Sequence, residues 1–188
     1  FVALFVMLTG AGAFAADCPD VNWGNHDVTV TDKIAPDENS CDFTATITLG
    51  NATLKNVSCE YDDADALYFC KAESVDVLTC AAGTGATATD VTGLTDNNQN
   101  AIDLATKMAN VCQPCSDKTF SNGTGYTCEA CPEVEPNSFS AYMEDEKWNG
   151  KECSFEATFK YDRYETVLKN VYCEYSNDEG NYLCKAKS

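Results

Sequence analysis

Twelve cysteines in 188 residues limit what this chain can become, and eight of them fall into a pattern written twice. Cys18-Pro19-Asp20-Val21 matches Cys131-Pro132-Glu133-Val134, and Cys41-Asp-Phe43-Thr-Ala45-Thr46 matches Cys153-Ser-Phe155-Glu-Ala157-Thr158. Leu54-Lys-Asn-Val-Ser-Cys59-Glu-Tyr61 then pairs with Leu168-Lys-Asn-Val-Tyr-Cys173-Glu-Tyr175, and Tyr68-Phe-Cys70-Lys-Ala72 with Tyr182-Leu-Cys184-Lys-Ala186. Copies that agree cysteine for cysteine point to two autonomous modules, each closing two disulfides of its own. Cys80, Cys112, Cys115 and Cys128 are left for the segment between them.

The compartment follows from the first residues. Residues 1–15 carry no charge and end in Ala13-Phe14-Ala15, a small-residue site for signal peptidase. Cleavage after Ala15 would start the mature chain at Ala16. The apolar run falls short of the roughly 20 residues that a transmembrane helix needs. Without an initiator Met or a basic region before it, the sequence reads as clipped at its beginning. In an exported chain an even cysteine count means six disulfides, worth about 2–4 kcal/mol each. Cys112-Gln-Pro-Cys115 and Cys128-Glu-Ala-Cys131 also have the form of a zinc site, but the signal, the short gap and the eight other cysteines favour disulfides.

The expected fold is mostly β: two small, disulfide-rich antiparallel meanders flanking a Cys-rich middle segment with one short helix. Phe43, Ala45, Ile47 and Leu49 alternate with Thr44, Thr46 and Thr48, the period of a half-buried strand. Gly50-Asn51 supplies a turn. Val57, Cys59 and Tyr61 share the face of a second strand, and Tyr68, Cys70 and Ala72 that of a third. The second copy spaces its middle cysteines two residues further apart, an insertion that lengthens a hairpin without inverting any side chain. Four cysteines allow three pairings. The hairpins set Cys59 opposite Cys70 and Cys173 opposite Cys184, leaving Cys18–Cys41 and Cys131–Cys153; long-range staples such as Cys18–Cys59 also satisfy the spacing. The division is thus 1–15 signal, 16–74 first repeat, 75–130 middle and 131–188 second repeat.

Within the middle, residues 81–95 are small and Thr-rich, which reads as a flexible connector or an extended edge with Thr84, Thr87, Thr89, Thr92 and Thr95 as candidate O-glycan acceptors. Residues 98–110 place Ile102, Ala105 and Ala109 along a helical stripe beside Leu104 and Met108, with Asp96 as the cap, and the stripe is expected to pack on a neighbouring module.

The stretch Cys112-Gln-Pro-Cys115-Ser-Asp-Lys-Thr119-Phe120-Ser-Asn-Gly123-Thr-Gly125-Tyr-Thr-Cys128-Glu-Ala-Cys131-Pro132 resembles the ephrin-receptor-like cysteine-rich repeat, which is common in protist surface proteins, including ciliate immobilization antigens. The family pattern runs CxxCPxGT(F/Y)S, a glycine, then CxxCP. Ser116 stands where the family has proline and Lys118 where it has glycine. The resemblance covers about 21 residues. It implies an extracellular spacer, with Cys115 bonded to Cys128 and Cys112 to Cys80.

The chemistry-bearing residues are sparse. A formal charge of −18 and a pI near 4.1 repel nucleic acid and anionic lipid. His26 is the sole histidine, read as a solvated loop residue, which removes most acid-base and nucleophilic schemes. Asn51, Asn56 and Asn122 head N-glycosylation sequons, whereas Asn170 lacks the hydroxyl residue two places on. Weak calcium binding is conceivable at Asp62-Asp63-Asp65 or at Glu144-Asp145-Glu146, with no resident cofactor expected. The expected function is therefore non-catalytic: a secreted, glycosylated coat or fibril subunit joined head-to-tail. The rival is a surface antigen or receptor-like ectodomain that recognises a glycan or protein through Trp23, Trp148 and the Tyr pairs.

Overall fold

A computed structural model describes residues 18–37, 40–134, 141–161 and 166–186, so the signal read over 1–15 lies outside the described residues. Contacts gather the chain into two units. One comprises Phe1–Val77 with Thr92–Ala109, the other Leu78–Val91 with Asn110–Ser188.

The first unit is built on the antiparallel strands β1 (Thr29–Ile34), β2 (Phe43–Leu49), β3 (Ala52–Asp62) and β4 (Leu67–Lys71), hydrogen-bonded in that order. Alternation in β2 buries Phe43, Ala45 and Ile47, while β3 buries Leu54, Val57 and Cys59. Leu49 faces Ala52 across a two-residue hairpin whose positive φ (+56°) falls on Gly50, a conformation that glycine adopts without strain. β5 (Ser74–Leu78), whose last residue belongs to the second unit, pairs with β3.

The second unit repeats the meander with β11 (Ala141–Trp148), β12 (Ser154–Tyr161), β13 (Thr166–Ser176) and β14 (Asn181–Ala186). Tyr161 pairs with Thr166 where Leu49 pairs with Ala52, so the two extra residues lie in the hairpin connection and every inward residue keeps its face. Its core is Phe155, Ala157, Val171 and Cys173, with Val134, Met143, Trp148, Phe159 and Tyr182 packed around them.

Each repeat closes Cys18–Cys41 and Cys59–Cys70, or Cys131–Cys153 and Cys173–Cys184; Cys80–Cys112 and Cys115–Cys128 complete the set. Both CxxC pairs are consumed, which removes the zinc alternative.

Two bulges recur at matching places and were not expected. The register slips beside Asp32 in β1 and Asp145 in β11, and again beside Asn56 in β3 and Asn170 in β13. All four residues have φ between 51° and 55°. Asp and Asn tolerate this left-handed region better than other side chains. The bulge in β3 lets Leu54 and Val57, an odd number of residues apart, both face inward.

The middle segment departs from expectation in three ways. The Thr-rich stretch is not a bare connector: β6 (Thr84–Gly85) pairs with β8 (Gln113–Pro114), α1 (Ala88–Thr92) follows it, and Leu94 is buried. Thr87 and Asp90 form a reciprocal cap, Thr87 Oγ1 and N donating to Asp90 at 2.6 and 2.9 Å, which holds that carboxyl below its ordinary range. The longer helix, α2 (Ala101–Ala109), is therefore not the only one. Its cap is Asn100, which accepts from Asp103 N at 2.8 Å, rather than Asp96. The reason is that Gln99 and Asn100 form a strand, β7 (Gln99–Asn100), on β4 and cannot be helical. The buried stripe is accordingly Ala101, Leu104, Ala105 and Met108, with Ala109 exposed.

Around the second CxxC pair, β9 (Thr119–Phe120) pairs with β10 (Glu129–Ala130). Lys118 occupies a positive φ of 63° at the place where the resembled pattern has glycine. The turn survives, with Thr119 N and Oγ1 donating to Ser116 O.

Candidate assembly surface

The two repeats present the same inward residues under different cover. In the first unit the sheet does not stop at β4. β7 adds to its edge at Phe69 and Cys70, and the chain turns straight into α2, which packs on β2 and β4. Beneath that strand–helix cover Cys70 is 0 % exposed and Ala72 is buried, while Leu54, also 0 % exposed, lies on β3, which β5 pairs with as well. In the second unit β14 is the terminal strand and, among the described residues, pairs only with β13. The matching Leu168 is 39 % exposed, and Cys184 and Ala186 are exposed too. Val171 and Cys173, nearer the centre of the sheet, stay buried. Among the described residues the inner face of the second repeat is thus buried at Val171 and Cys173 and exposed at Leu168, Cys184 and Ala186, and β14 pairs with β13 alone.

A tyrosine fixes the opposite end of each module. Tyr68 donates its hydroxyl to Pro19 O at 3.1 Å, and Tyr182 donates to Pro132 O at 2.9 Å. Each ring also packs on a neighbour, Tyr61 at 5.0 Å and Tyr175 at 5.3 Å between centroids. Burial, with smaller contributions from Tyr61, Asp42 and Asp20, raises the Tyr68 pKa above 10.0; burial and then Tyr175 do the same for Tyr182. The equivalent lock in both repeats ties the Cys-Pro entry segment to the β3–β4 or β13–β14 hairpin.

The residues singled out from sequence are dispersed. Asn51, Asn56 and Asn122 are all exposed. Asn56 donates to Glu73 at 2.6 Å from the bulge, and Asn122 Oδ1 accepts from Thr124 N and Oγ1 at 3.0 and 2.7 Å. Of the candidate O-glycan threonines, Thr84 and Thr95 donate to backbone carbonyls, Thr87 caps α1, and Thr89 and Thr92 are exposed. His26 is half-buried and lies 3.3 Å from Thr106 on α2, so it is tied to the helix rather than simply solvated. Trp148 stacks on Phe155 at 4.6 Å and donates to Glu146, which makes it core; Trp23 is half-buried. The two acidic turns have other partners. Asp62 accepts from Ala64 N and Asp65 N, Glu144 pairs with Lys160, and Glu146 accepts from Trp148.

Sequence reasoning passed over the α1 cap, although Thr87-Ala-Thr-Asp90 has the spacing of a capping box. It also passed over the strands carrying Asp32 and Asp145, because a bulge breaks the period of two. The six disulfides, with no cysteine left free, fit an extracellular, disulfide-stapled protein. Among the described residues no helix is long and apolar enough to cross a membrane. Comparison with protein-family models, with curated proteins and with solved structures finds no match.

Proposed function

We propose that this chain is a non-catalytic structural subunit of an extracellular coat or fibril, joined head-to-tail through the open half of its second repeat and shielded by N-glycans at Asn51, Asn56 and Asn122. One observation carries the reading: Leu54 and Leu168 occupy the same place in the same motif, yet one is sealed and the other is 39 % exposed, in a sheet whose last strand pairs, among the described residues, on one side only. An apolar face next to an unpaired strand is a template for pairing with another chain. A contact between unlike surfaces propagates rather than closes. The Cys115–Cys128 segment would then act as the spacer that its resemblance implies.

The test is sedimentation and negative-stain microscopy of the secreted, glycosylated chain. Rods or sheets that Leu168→Glu disperses support the reading; a monodisperse species of 20.3 kDa plus glycan at every concentration overturns it.

A second reading has its own observation. A shallow cleft of about 330 Å³ on the other face of β13 and β14 is lined by Tyr172, Leu183, Glu174 and Lys185. Aromatic and apolar walls with charged groups at the rim suit a sugar or a peptide. Saturable binding on a glycan array that Tyr172→Ala abolishes would favour the receptor-like alternative.

A further inference from the structure

We infer that the outward face of the first repeat's sheet is a seat for the chain's own N-glycans at Asn51 and Asn56, whose root sugars lie down over an array of threonine hydroxyls. The inference rests on the glycosylation part of the reading above and gives those glycans a place on the protein. Its basis is which side chains stand opposite one another. Thr29, Thr48 and Thr53 form one row across β1, β2 and β3, Thr31 and Thr46 a second, and Thr44 and Ser58 a third. Residues directly opposite in an antiparallel sheet share a face, and this one is outward because Phe43, Ala45 and Ile47 are buried on the other. The Thr48 and Thr53 hydroxyls lie 3.1 Å apart, within hydrogen-bonding distance. β-Branching leaves each threonine few rotamers, so the hydroxyls are held in place before anything binds.

Two of these hydroxyls also define the attachment points. Thr53 completes the sequon of Asn51 and Ser58 that of Asn56. Asn51 stands in the hairpin between Leu49 and Ala52, at the end of the first row, and Asn56 in the bulge of β3; both are exposed. The slip in register between Ala45–Val57 and Ile47–Leu54 puts the bulge residues Lys55 and Asn56 opposite Thr46. A sugar on Asn56 therefore starts where the second row would have its third member. The residues of the three rows carry no charge in a chain of net charge −18, which suits the uncharged N-acetylhexosamines at the root of an N-glycan. Lys71 and Lys55, the latter paired with Asp76 at 2.9 Å, stand only at the border. The second repeat differs in both respects together. Its matching positions are Tyr142, Lys160 and Val167 in the first row, Glu144 in the second, and Glu156 and Tyr172 in the third. Tyr172, in the place of Ser58, is also what deprives Asn170 of a sequon, and no sequon lies between residues 131 and 188.

The test uses the full, disulfide-intact chain secreted by a host that adds N-glycans, with occupancy of Asn51 and Asn56 read by peptide mass spectrometry. Thermal unfolding of the first unit is followed through Trp23 in a Trp148→Phe background, before and after an amidase removes each glycan whole and leaves aspartate. The expected midpoint falls by about 4–8 °C on removal, the shift that losing about one net hydrogen bond produces in a domain of this size. In Thr31→Val/Thr46→Val, which keeps the sequons and the side-chain shape, the fall should be less than half as large, because the aspartates are common to both arms of the cycle and cancel. A second measurement needs no variant: nuclear Overhauser contacts run from sugar protons to the Thr31 and Thr46 methyl groups of the glycosylated chain. Occupied sites without those contacts, or with equal falls in the two backgrounds, overturn this inference alone. Bare Asn51 and Asn56 overturn the glycosylation reading on which it rests. Contacts and coupling in a chain that stays monomeric sink the coat reading alone.

Discussion

Replacing Leu54 and Leu168 by alanine, one at a time, asks whether cover rather than residue identity decides stability. The truncation removes about three methylene equivalents at about 0.8 kcal/mol each, a transfer loss of about 2.4 kcal/mol for a fully buried leucine. Leu54 is 0 % exposed, so an enclosed cavity adds to that loss and the total comes to about 3–5 kcal/mol. Leu168 is 39 % exposed, so only about 1.5 kcal/mol of transfer is at stake, and water fills the space that the side chain leaves. The predicted gap is about 2 kcal/mol between chemically identical changes. Each repeat-bearing unit carries its own tryptophan, which gives each a private reporter. In a Trp148→Phe background Trp23 follows the first unit, and in a Trp23→Phe background Trp148 follows the second. Denaturant titrations with disulfides intact then give the two losses separately. Equal losses, or a larger one at Leu168, would refute the claim that the second repeat is open where the first is covered.

Ala66 and Gly180 hold matching hairpin positions at φ +54° and +64°, so Ala66→Gly is expected to raise the first unit's stability by about 0.5–1 kcal/mol and Gly180→Ala to lower the second's by a similar amount, read from denaturation midpoints. Tyr68 and Tyr182 have folded-state pKa values raised above 10.0, so their contribution is complete below the unfolded value and is lost as pH rises through the raised one; stability measured against pH, with tyrosinate absorbance alongside, should fall above about pH 10, and less so in Tyr68→Phe. A Cβ at Gly85 would meet Cys128 Sγ at 2.6 Å and Cys128 N at 2.9 Å, so Gly85→Ala should cost about 2–3 kcal/mol in thermal unfolding, whereas wild-type stability would show that the turn yields freely. Cys184 is exposed while Cys70 is sealed, so limiting reductant should open Cys173–Cys184 before Cys59–Cys70, an order readable by alkylation and peptide mapping.

Where the sequence was legible, strong local periodicity met a disulfide. Phe43 to Leu49 alternates without interruption, and Cys59 opposite Cys70 falls into register because both flank a short acidic turn. The hairpin insertion was readable for the same reason, since only an even number of residues preserves faces. The strands broken by Asp32 and Asp145 were not readable. A bulge shifts the phase by one, so Met143 and Trp148 reach the same core from positions five apart in the chain. The start of α2 was missed for a different reason. Residues 99–100 take strand geometry only because β4 lies ready to receive them, and no local preference of Gln-Asn announces that partner. Leu54 and Leu168 are the extreme case: both are followed by Lys-Asn-Val, and nothing in that shared stretch announces that one is sealed and the other 39 % exposed.

That identity also limits how the open face can be interpreted. Outward positions have diverged between the copies: Thr29, Thr53 and Ser58 on one sheet correspond to Tyr142, Val167 and Tyr172 on the other. Among the inward ones Ala52, buried in the first repeat, has become the exposed Thr166, while Leu168, Cys184 and Ala186 keep the apolar character of residues that are sealed in the first repeat. A face with nothing to cover it would lose no packing energy by exchanging leucine for a polar residue, and would gain solubility. A face that spends part of its time covered loses the buried contact on the same exchange. Retention of Leu168 on an exposed stretch of β13 therefore favours an intermittent cover over a permanently wet one, whereas Cys184 is held by its bond to Cys173 whether covered or not.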